Sequence, residues 1–191
     1  VTFKEEQDGT ILVYGQGMHS LTKPNSTLYT GNSGTTTRML TGLLSAQAFE
    51  STIDGDASIR KRPMTHVIEP LTKMGAQIEG SHCPFTILGK QLRPIEFTMP
   101  VASAQLKTAL LIASMYAKGT TTIHEPVASR NHTELMLSCM GADITCTDGV
   151  IKSNGVERLN AIDIQIGADI SSAAFLLVAA AIVPGSQVTV K

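Results

Sequence analysis

Apolar and polar positions along this chain fall into blocks that come back. Leu43-Leu44 sits in a helical pattern, Leu110-Leu111 repeats it 67 positions later, and Leu176-Leu177 comes 66 after that. The triplet Met74-Gly75-Ala76 returns as Met140-Gly141-Ala142, again 66 on. Behind each leucine pair stands a β-rich run: "STID" from Ser51, "GTTTIHE" from Gly119 and "GSQVTV" from Gly185. Three independent markers sharing one period define an internal repeat.

The second copy shows the unit most clearly. A short strand, Ile95 to Met99, precedes an apolar helix over Ser103 to Ala117, which Gly119 ends by supplying a left-handed exit. A β-branched strand, Thr120 to Glu125, leads to an amphipathic helix from about Asn131 to Met140. "MGAD" closes that helix, and the strands "DITCT" and "VIKS" flank Asp148-Gly149, a tight-turn signal. The order is βαβαββ. The predicted fold class is therefore α/β (α+β), built of repeated βαβαββ units. The full copies are 27–89 and 95–154, with a leading strand pair around "QDGT" in Val1 to Tyr14. These make a first domain over 1–160, while 161–191 is the start of the next repeat or second domain. Ala104 to Ala117 and Ser171 to Val183 are apolar nearly all round, which predicts inner helices wrapped by other elements.

Composition narrows the function classes. With 42% hydrophobic and 16% charged residues the chain is a folded protein rather than a disordered one. Its 15 basic and 16 acidic residues cancel, which argues against a nucleic-acid or anionic-membrane partner. The longest apolar run, Ala173 to Val183, has 11 residues, where a membrane span needs about 20. Cys83, Cys139 and Cys146 show no CxxC pairing, which suits a reduced, cytoplasmic compartment, and Cys139 and Cys146 read as core thiols. The five histidines lack metal spacing, so no metal is expected. "VTFKEEQDGT" is not a signal peptide. It opens without Met, and "SQVTVK" closes on a strand-like run, so both ends read as cut.

Four strand-to-helix junctions carry the candidate chemistry. "GNSGTTTR", Gly31 to Arg38, opens a helix, where free N–H groups and the helix dipole favour an anion. It lacks the ending of a Walker A loop, and "GQGMHS" from Gly15 lacks the third glycine of a dinucleotide fingerprint. An ordinary capped turn is the competing reading. "ASAQLK", Ala102 to Lys107, occupies the matching place one repeat on; Ser103 fits an N-cap, or else Ser103 and Gln105 face a polar ligand. "DGDASIRKRPM", Asp54 to Met64, and "PVASRNHTE", Pro126 to Glu134, both join a strand to the second helix of their units. Pro63 suits the first turn of that helix. Cations such as Arg60, Arg62 and Arg130 at a helix start oppose its dipole unless an anion sits between them. Solvent exposure is the alternative, and for Arg60 and Lys61 the choice stays open. A repeat fold brings equivalent junctions to one face, so Gly34, Arg62, Ser103, Gln105, Ser129 and Arg130 are expected to converge on a small, multiply anionic ligand.

"GNSGTTTRML", "GDASIRKRPM", "SAQLKTALL", "SRNHTELML" and "DISSAAFLLVAAA", in this order, resemble the successive motifs of the 5-enolpyruvylshikimate-3-phosphate synthase family. The resemblance implies an inverse α/β barrel with inner helices surrounded by sheets. It also implies transfer of the enolpyruvyl group of phosphoenolpyruvate to the 5-hydroxyl of shikimate 3-phosphate, releasing phosphate, in aromatic amino acid synthesis and without cofactor. By position it assigns Gly34, Arg62 and Gln105 to phosphoenolpyruvate. It assigns Ser103, Gln105, Ser129 and Arg130 to shikimate 3-phosphate, and a meeting near the domain junction to Arg38 and Asp169. Gly34 resembles the form of the site open to glyphosate. A "GxKS…R" motif and nearly all of a second domain, which relatives use for substrate cations and proton-transferring carboxylates, have no counterpart in these residues. No catalytic residue is therefore expected within this chain, which should be inactive alone and prone to self-association, whereas the full-length form is expected to be monomeric. A non-catalytic anion-binding module or scaffold of the same repeat fold is the alternative.

Overall fold

Strands and helices follow the βαβαββ order twice. The computed structural model describes residues 1–167 and 169–190. A hairpin of β1 (Thr2–Glu5) and β2 (Ile11–Tyr14) comes first. The first unit runs β3 (Leu28–Tyr29), α1 (Gly34–Ser45), β4 (Glu50–Asp54), α2 (Thr65–Lys73), β5 (Gln77–Glu79) and β6 (Phe85–Leu88). The second runs β7 (Glu96–Thr98), α3 (Ala104–Ser114), β8 (Thr120–His124), α4 (His132–Cys139), β9 (Ile144–Thr147) and β10 (Val150–Asn154). Their sheets have one topology, β3-β4-β6-β5 and β7-β8-β10-β9, each with a parallel first pair and antiparallel remainder.

The repeated sequence markers have local physical causes. Each "MGA" is a helix terminus of the Schellman type. Gly75 takes φ 107° and Gly141 φ 91°. The N–H groups of Gly75 and Ala76 bond back to Thr72 and Leu71, and those of Gly141 and Ala142 to Ser138 and Leu137. Ala76 and Ala142 are then buried against the body of the unit. Asp148 and Gly149, at φ 50° and 77°, make the tight turn between β9 and β10.

The core sits between the sheets and is centred on α3. Leu106, Ala109, Leu110, Leu111 and Ala113 are buried against Val67, Leu71 and Met74 of the first unit and Ile123 and Ile151 of the second sheet. Helices α1 and α3 touch through their backbones: a Cβ built on Gly42 would lie 2.3 Å from the Ala109 carbonyl oxygen. A second cluster, Leu44, Ile53, Ile59, Met64, Phe85 and Ile87, fills the first unit. The expected helix over Ser103 to Ala117 stops at Ser114, because the N–H groups of Tyr116 and Ala117 tighten to three-residue bonds with Ala113 and Ser114.

Several expectations fail for identifiable reasons. Residues divide into two compact units, Val1–Asn160 and Ala161–Lys191. In the second, α5 (Ile170–Ile182) is the only regular element among the described residues, and "GSQVTV" forms no strand. The expected inner helix there buries Ala173 alone and leaves Phe175 81% exposed, since among the described residues its unit has no other helix or strand to cover it. Helix α4 turns a mixed face inward: Glu134 is buried and Leu137 packs on the core, while Leu135 and Met136 face solvent. Cys139 and Cys146 are exposed rather than core thiols, one on that outward-facing helix and the other on the edge strand β9; Cys83 is buried.

Candidate anion-binding site

The site begins where β3 hands over to α1. Thr30 bonds to the end of β4 through its N–H and hydroxyl, both to the Asp54 carbonyl. Gly31, at φ 58°, turns the chain, and Ser33 caps α1 by accepting the Thr36 N–H at 3.1 Å. The N–H groups of Gly34 and Thr35 stand at the open, positive end of the helix, where no intrahelical acceptor exists.

The cationic run leaves from this same end of β4. Gly55 is obligatory there: a Cβ would stand 2.2 Å from Ile59 Cγ2 and 2.4 Å from the Gly31 carbonyl oxygen. Asp56 accepts the N–H groups of Ser58 and Ile59 and so nucleates a one-turn 3₁₀ helix, Ile59–Lys61. Pro63 forces the residue before it out of the helical region, and Arg62 is extended at φ −89°, ψ 123°. Pro63 therefore precedes α2 instead of starting it, because Met64 is the residue that flanks the first turn at Thr65.

This geometry separates the two arginines. Arg60 folds back on Asp54, with Nε 2.9 Å from Oδ1, and that ion pair holds the Asp54 carboxyl below its ordinary range. Arg62 instead reaches across to the start of α1. Its Nη2 donates to Asn32 Oδ1 at 2.8 Å and Ser58 Oγ at 3.2 Å, both neutral acceptors. Its Nη1 would lie 3.3 Å from a Cβ on Gly34, and Arg38 Nη1 would lie 2.6 Å from the same point. Two guanidinium groups thus meet over Gly34, and no carboxylate pairs with either among the described residues. Burial and then the neighbouring Arg62 lower the Arg38 pKa.

Helix α3 contributes from beside α1. Ser103 caps it by accepting the Leu106 N–H at 3.3 Å, the capping alternative. Gln105 bridges the two helix starts, accepting from Arg38 Nη1 at 2.6 Å and donating to Thr35 Oγ1 at 2.7 Å. Gln105 and Thr35 line a cavity of about 230 Å³ together with Thr108, Arg130 and Thr133. Ser129 lies in the loop before α4 and donates to Glu125 Oε1. Glu125 in turn pairs with buried Lys107. Gly34, Arg38, Arg62 and Gln105 are therefore one cluster, Arg130 shares the adjoining cavity with Gln105, and Ser103 and Ser129 serve as cap and loop anchor. Asp169 belongs to the 161–191 unit, where it caps α5 by accepting the Ser171 N–H.

Sequence reasoning missed His66, which accepts from Arg38 Nε at 2.9 Å, and the Asn32 and Ser58 acceptors of Arg62. Asn32 stood inside a segment already singled out; His66 carried no motif. A larger cavity of about 440 Å³, lined by His19, Gln47, Phe49, Lys90 and Tyr116, opens by the C-terminal ends of α1 and α3. It contains none of the arginines, so the chemistry points to the smaller cavity and the α1 N-terminus. Among the described residues no group of three or more His, Cys, Asp and Glu could hold a metal ion, and no helix is long and apolar enough to cross a membrane.

The family model for EPSP synthase (3-phosphoshikimate 1-carboxyvinyltransferase) matches residues 1–191. The 3-phosphoshikimate 1-carboxyvinyltransferase of Bacillus velezensis is 47% identical over 97% of this chain and 45% of its own length. That of Desulforamulus reducens is 45% identical over 100% and 46%. The EPSP synthase structure from Acinetobacter baumannii superposes with a TM-score of 0.86 at 44% identity, over 95% of this chain and 42% of that one. The enolpyruvyl transferase NikO from Streptomyces tendae, at 22% identity and a TM-score of 0.52 over 63% of this chain and 29% of its own, shares the fold. The expected enolpyruvyl-transferase-like α/β class is thereby established. This chain spans less than half the length of these curated relatives. With its whole length matched and its βαβαββ units superposed on a solved relative, the chain belongs to the EPSP synthase (3-phosphoshikimate 1-carboxyvinyltransferase) family.

Proposed function

We propose that this chain forms part of the substrate-binding face of an enzyme that moves the enolpyruvyl group of phosphoenolpyruvate onto the 5-hydroxyl of shikimate 3-phosphate and releases phosphate. The observation that carries this is the convergence of Arg38 and Arg62 over Gly34 at the positive end of α1, held by neutral partners alone. Like charges gathered at a helix N-terminus repel each other and oppose its dipole, and an anion between them turns both interactions favourable.

In this reading Arg62 grips phosphoenolpyruvate, because a guanidinium fork can bind a carboxylate or phosphate bidentately. Gly34 leaves the backbone open for the same ligand. Gln105 lies against both substrates, and Ser103, Ser129 and Arg130 hold shikimate 3-phosphate. The Ser129 hydroxyl proton already points to Glu125, so it faces its ligand with lone pairs until that bond is exchanged. The nearby carboxylates are engaged: Asp54 by Arg60, Asp56 by the 3₁₀ turn, and Glu125 by Lys107 and Ser129. The proton-transferring groups are accordingly assigned to the remainder of a full-length enzyme, and this 191-residue chain is expected to show no turnover by itself.

The test is phosphate release by the full-length protein with both substrates. Arg62→Ala should raise the phosphoenolpyruvate KM about 10-fold or more, the effect of losing hydrogen bonds to a charged group. A full-length protein with no phosphate release, yet with retained anion binding, would establish the scaffold reading instead.

A further inference from the structure

Arg38 presents a problem that the site itself does not solve. A long, half-buried cation beside a second guanidinium should swing away, yet its group is fixed over Gly34. Holding it with a carboxylate would cancel the charge that an anion needs. The protein uses His66, the second residue of α2, half-buried and 2.9 Å from Arg38 Nε.

That contact determines the state of the imidazole. Arginine Nε always carries its hydrogen and donates, so His66 Nε2 must offer a lone pair. The ring proton then sits on Nδ1 and the ring is neutral. Burial and then the Arg38 charge lower the His66 pKa, in keeping with that state. The same polarity runs onward. Arg38 Nη1 donates to Gln105 Oε1, which turns the Gln105 amide nitrogen to Thr35 Oγ1. His66, Arg38, Gln105 and Thr35 thus form one directed chain across α2, α1 and α3, with a neutral acceptor at its base.

We propose that His66 is a positioning residue, a neutral acceptor that aims the Arg38 guanidinium at the α1 N-terminus while leaving its charge uncompensated for the bound anion. The inference rests on the reading of this site as the phosphoenolpyruvate subsite. It assigns to α2, through a residue that touches no substrate, control over how Arg38 and Gln105 are presented.

Reach gives the test its discrimination. The glutamine Oε1 stands about as far along the side chain as histidine Nε2, whereas asparagine Oδ1 stands where Nδ1 does. In the full-length enzyme, His66→Phe, which keeps the ring volume without an acceptor, should raise the phosphoenolpyruvate KM roughly 10-fold, the loss expected for a hydrogen bond to a charged group. The shikimate 3-phosphate KM should move less, since that substrate keeps Ser103, Ser129 and Arg130 besides Gln105. His66→Gln should restore most of the phosphoenolpyruvate KM and His66→Asn should not. A purely structural role would instead follow thermal stability and ignore the Gln/Asn distinction. Should the Phe variant fail to fold, a ¹⁵N imidazole spectrum of the unaltered protein at neutral pH decides the matter. It should show Nδ1 protonated and Nε2 bare, and an Nε2-protonated or doubly protonated ring overturns the proposal. Equal phosphoenolpyruvate KM values in His66→Phe, Gln and Asn would also overturn it while Arg62→Ala remains impaired. If Arg62→Ala is itself unimpaired, the subsite reading has failed rather than the role of His66.

Discussion

Lys107→Met tests the buried charge cluster on which the loop of Ser129 and Arg130 depends. The Lys107 Nζ lies 2.9 Å from Glu125 Oε2 and 2.6 Å from Glu134 Oε1, and the three side chains are 1%, 4% and 6% exposed. Burial pulls the Lys107 pKa down, but its contacts with Glu134 and Glu125 outweigh burial and hold it above the ordinary value. Glu134 meets the ammonium as a close charge contact rather than an aligned hydrogen bond, and its Oε2 has no partner. One cation thus serves two buried carboxylates. Replacing it with a methionine of similar length strands both. Breaking a buried pair by removing one partner costs about 3–5 kcal/mol. At roughly 2–4 °C per kcal/mol for a protein of this size, the melting temperature should fall by about 6–20 °C. Thermal unfolding followed by circular dichroism at neutral pH, with urea titration for the free energy, measures both. The triple variant Lys107→Met/Glu125→Gln/Glu134→Gln removes every charge and should recover at least half the loss, since an uncharged replacement of a buried ion cluster is often close to neutral. A single-variant loss below about 1 kcal/mol, or a triple variant worse than the single, would refute the view that Lys107 compensates the pair.

Gly34→Ala should weaken phosphoenolpyruvate binding by calorimetry while changing stability by no more than about 1 kcal/mol, because the new methyl displaces the far ends of Arg38 and Arg62 rather than backbone. Gly42→Ala should be far more damaging, about 1–3 kcal/mol or more by urea unfolding, since its methyl would meet the Ala109 backbone at 2.3 Å and force α1 from α3. The depressed His66 pKa makes the free protein's stability pH-dependent. Above the ordinary histidine value of 6.5 both states are neutral; below it the unfolded chain protonates first, so stability falls as pH drops toward the folded pKa. His66→Gln should remove that part of the acid-side slope in urea titrations between pH 7 and 5, and an unchanged slope would contradict it.

How far the sequence could be read follows the range of the interactions involved. The repeat was legible because its markers are local devices: "MGA" is a helix exit written in three residues, and Asp148-Gly149 is a turn written in two. The inner position of α3 followed from its apolar surface, but the same reasoning placed α5 inside, where among the described residues its own unit has no second helix or strand to cover it. Periodicity reports which faces want burial and cannot supply the partner. Glu134 and Lys107 show the converse: each reads as a surface charge until the other is 2.6 Å away. The site divides along the same line. Equivalent strand-to-helix junctions put Gly34, Arg62 and Gln105 near one another through repeat symmetry alone. Residue chemistry alone left open which cation stays available, and only the family resemblance singled out Arg62, because the choice depends on pairings between distant residues. Arg60 is neutralised by Asp54, six residues back, whereas Arg62 is held by Asn32 from another junction and Arg38 by His66, 28 residues on. A cluster of cations becomes an anion site only where its members are fixed by neutral partners. On that criterion Arg38 and Arg62 qualify and Arg60 does not, although in the bare sequence Arg60 and Arg62 are two residues apart and look alike.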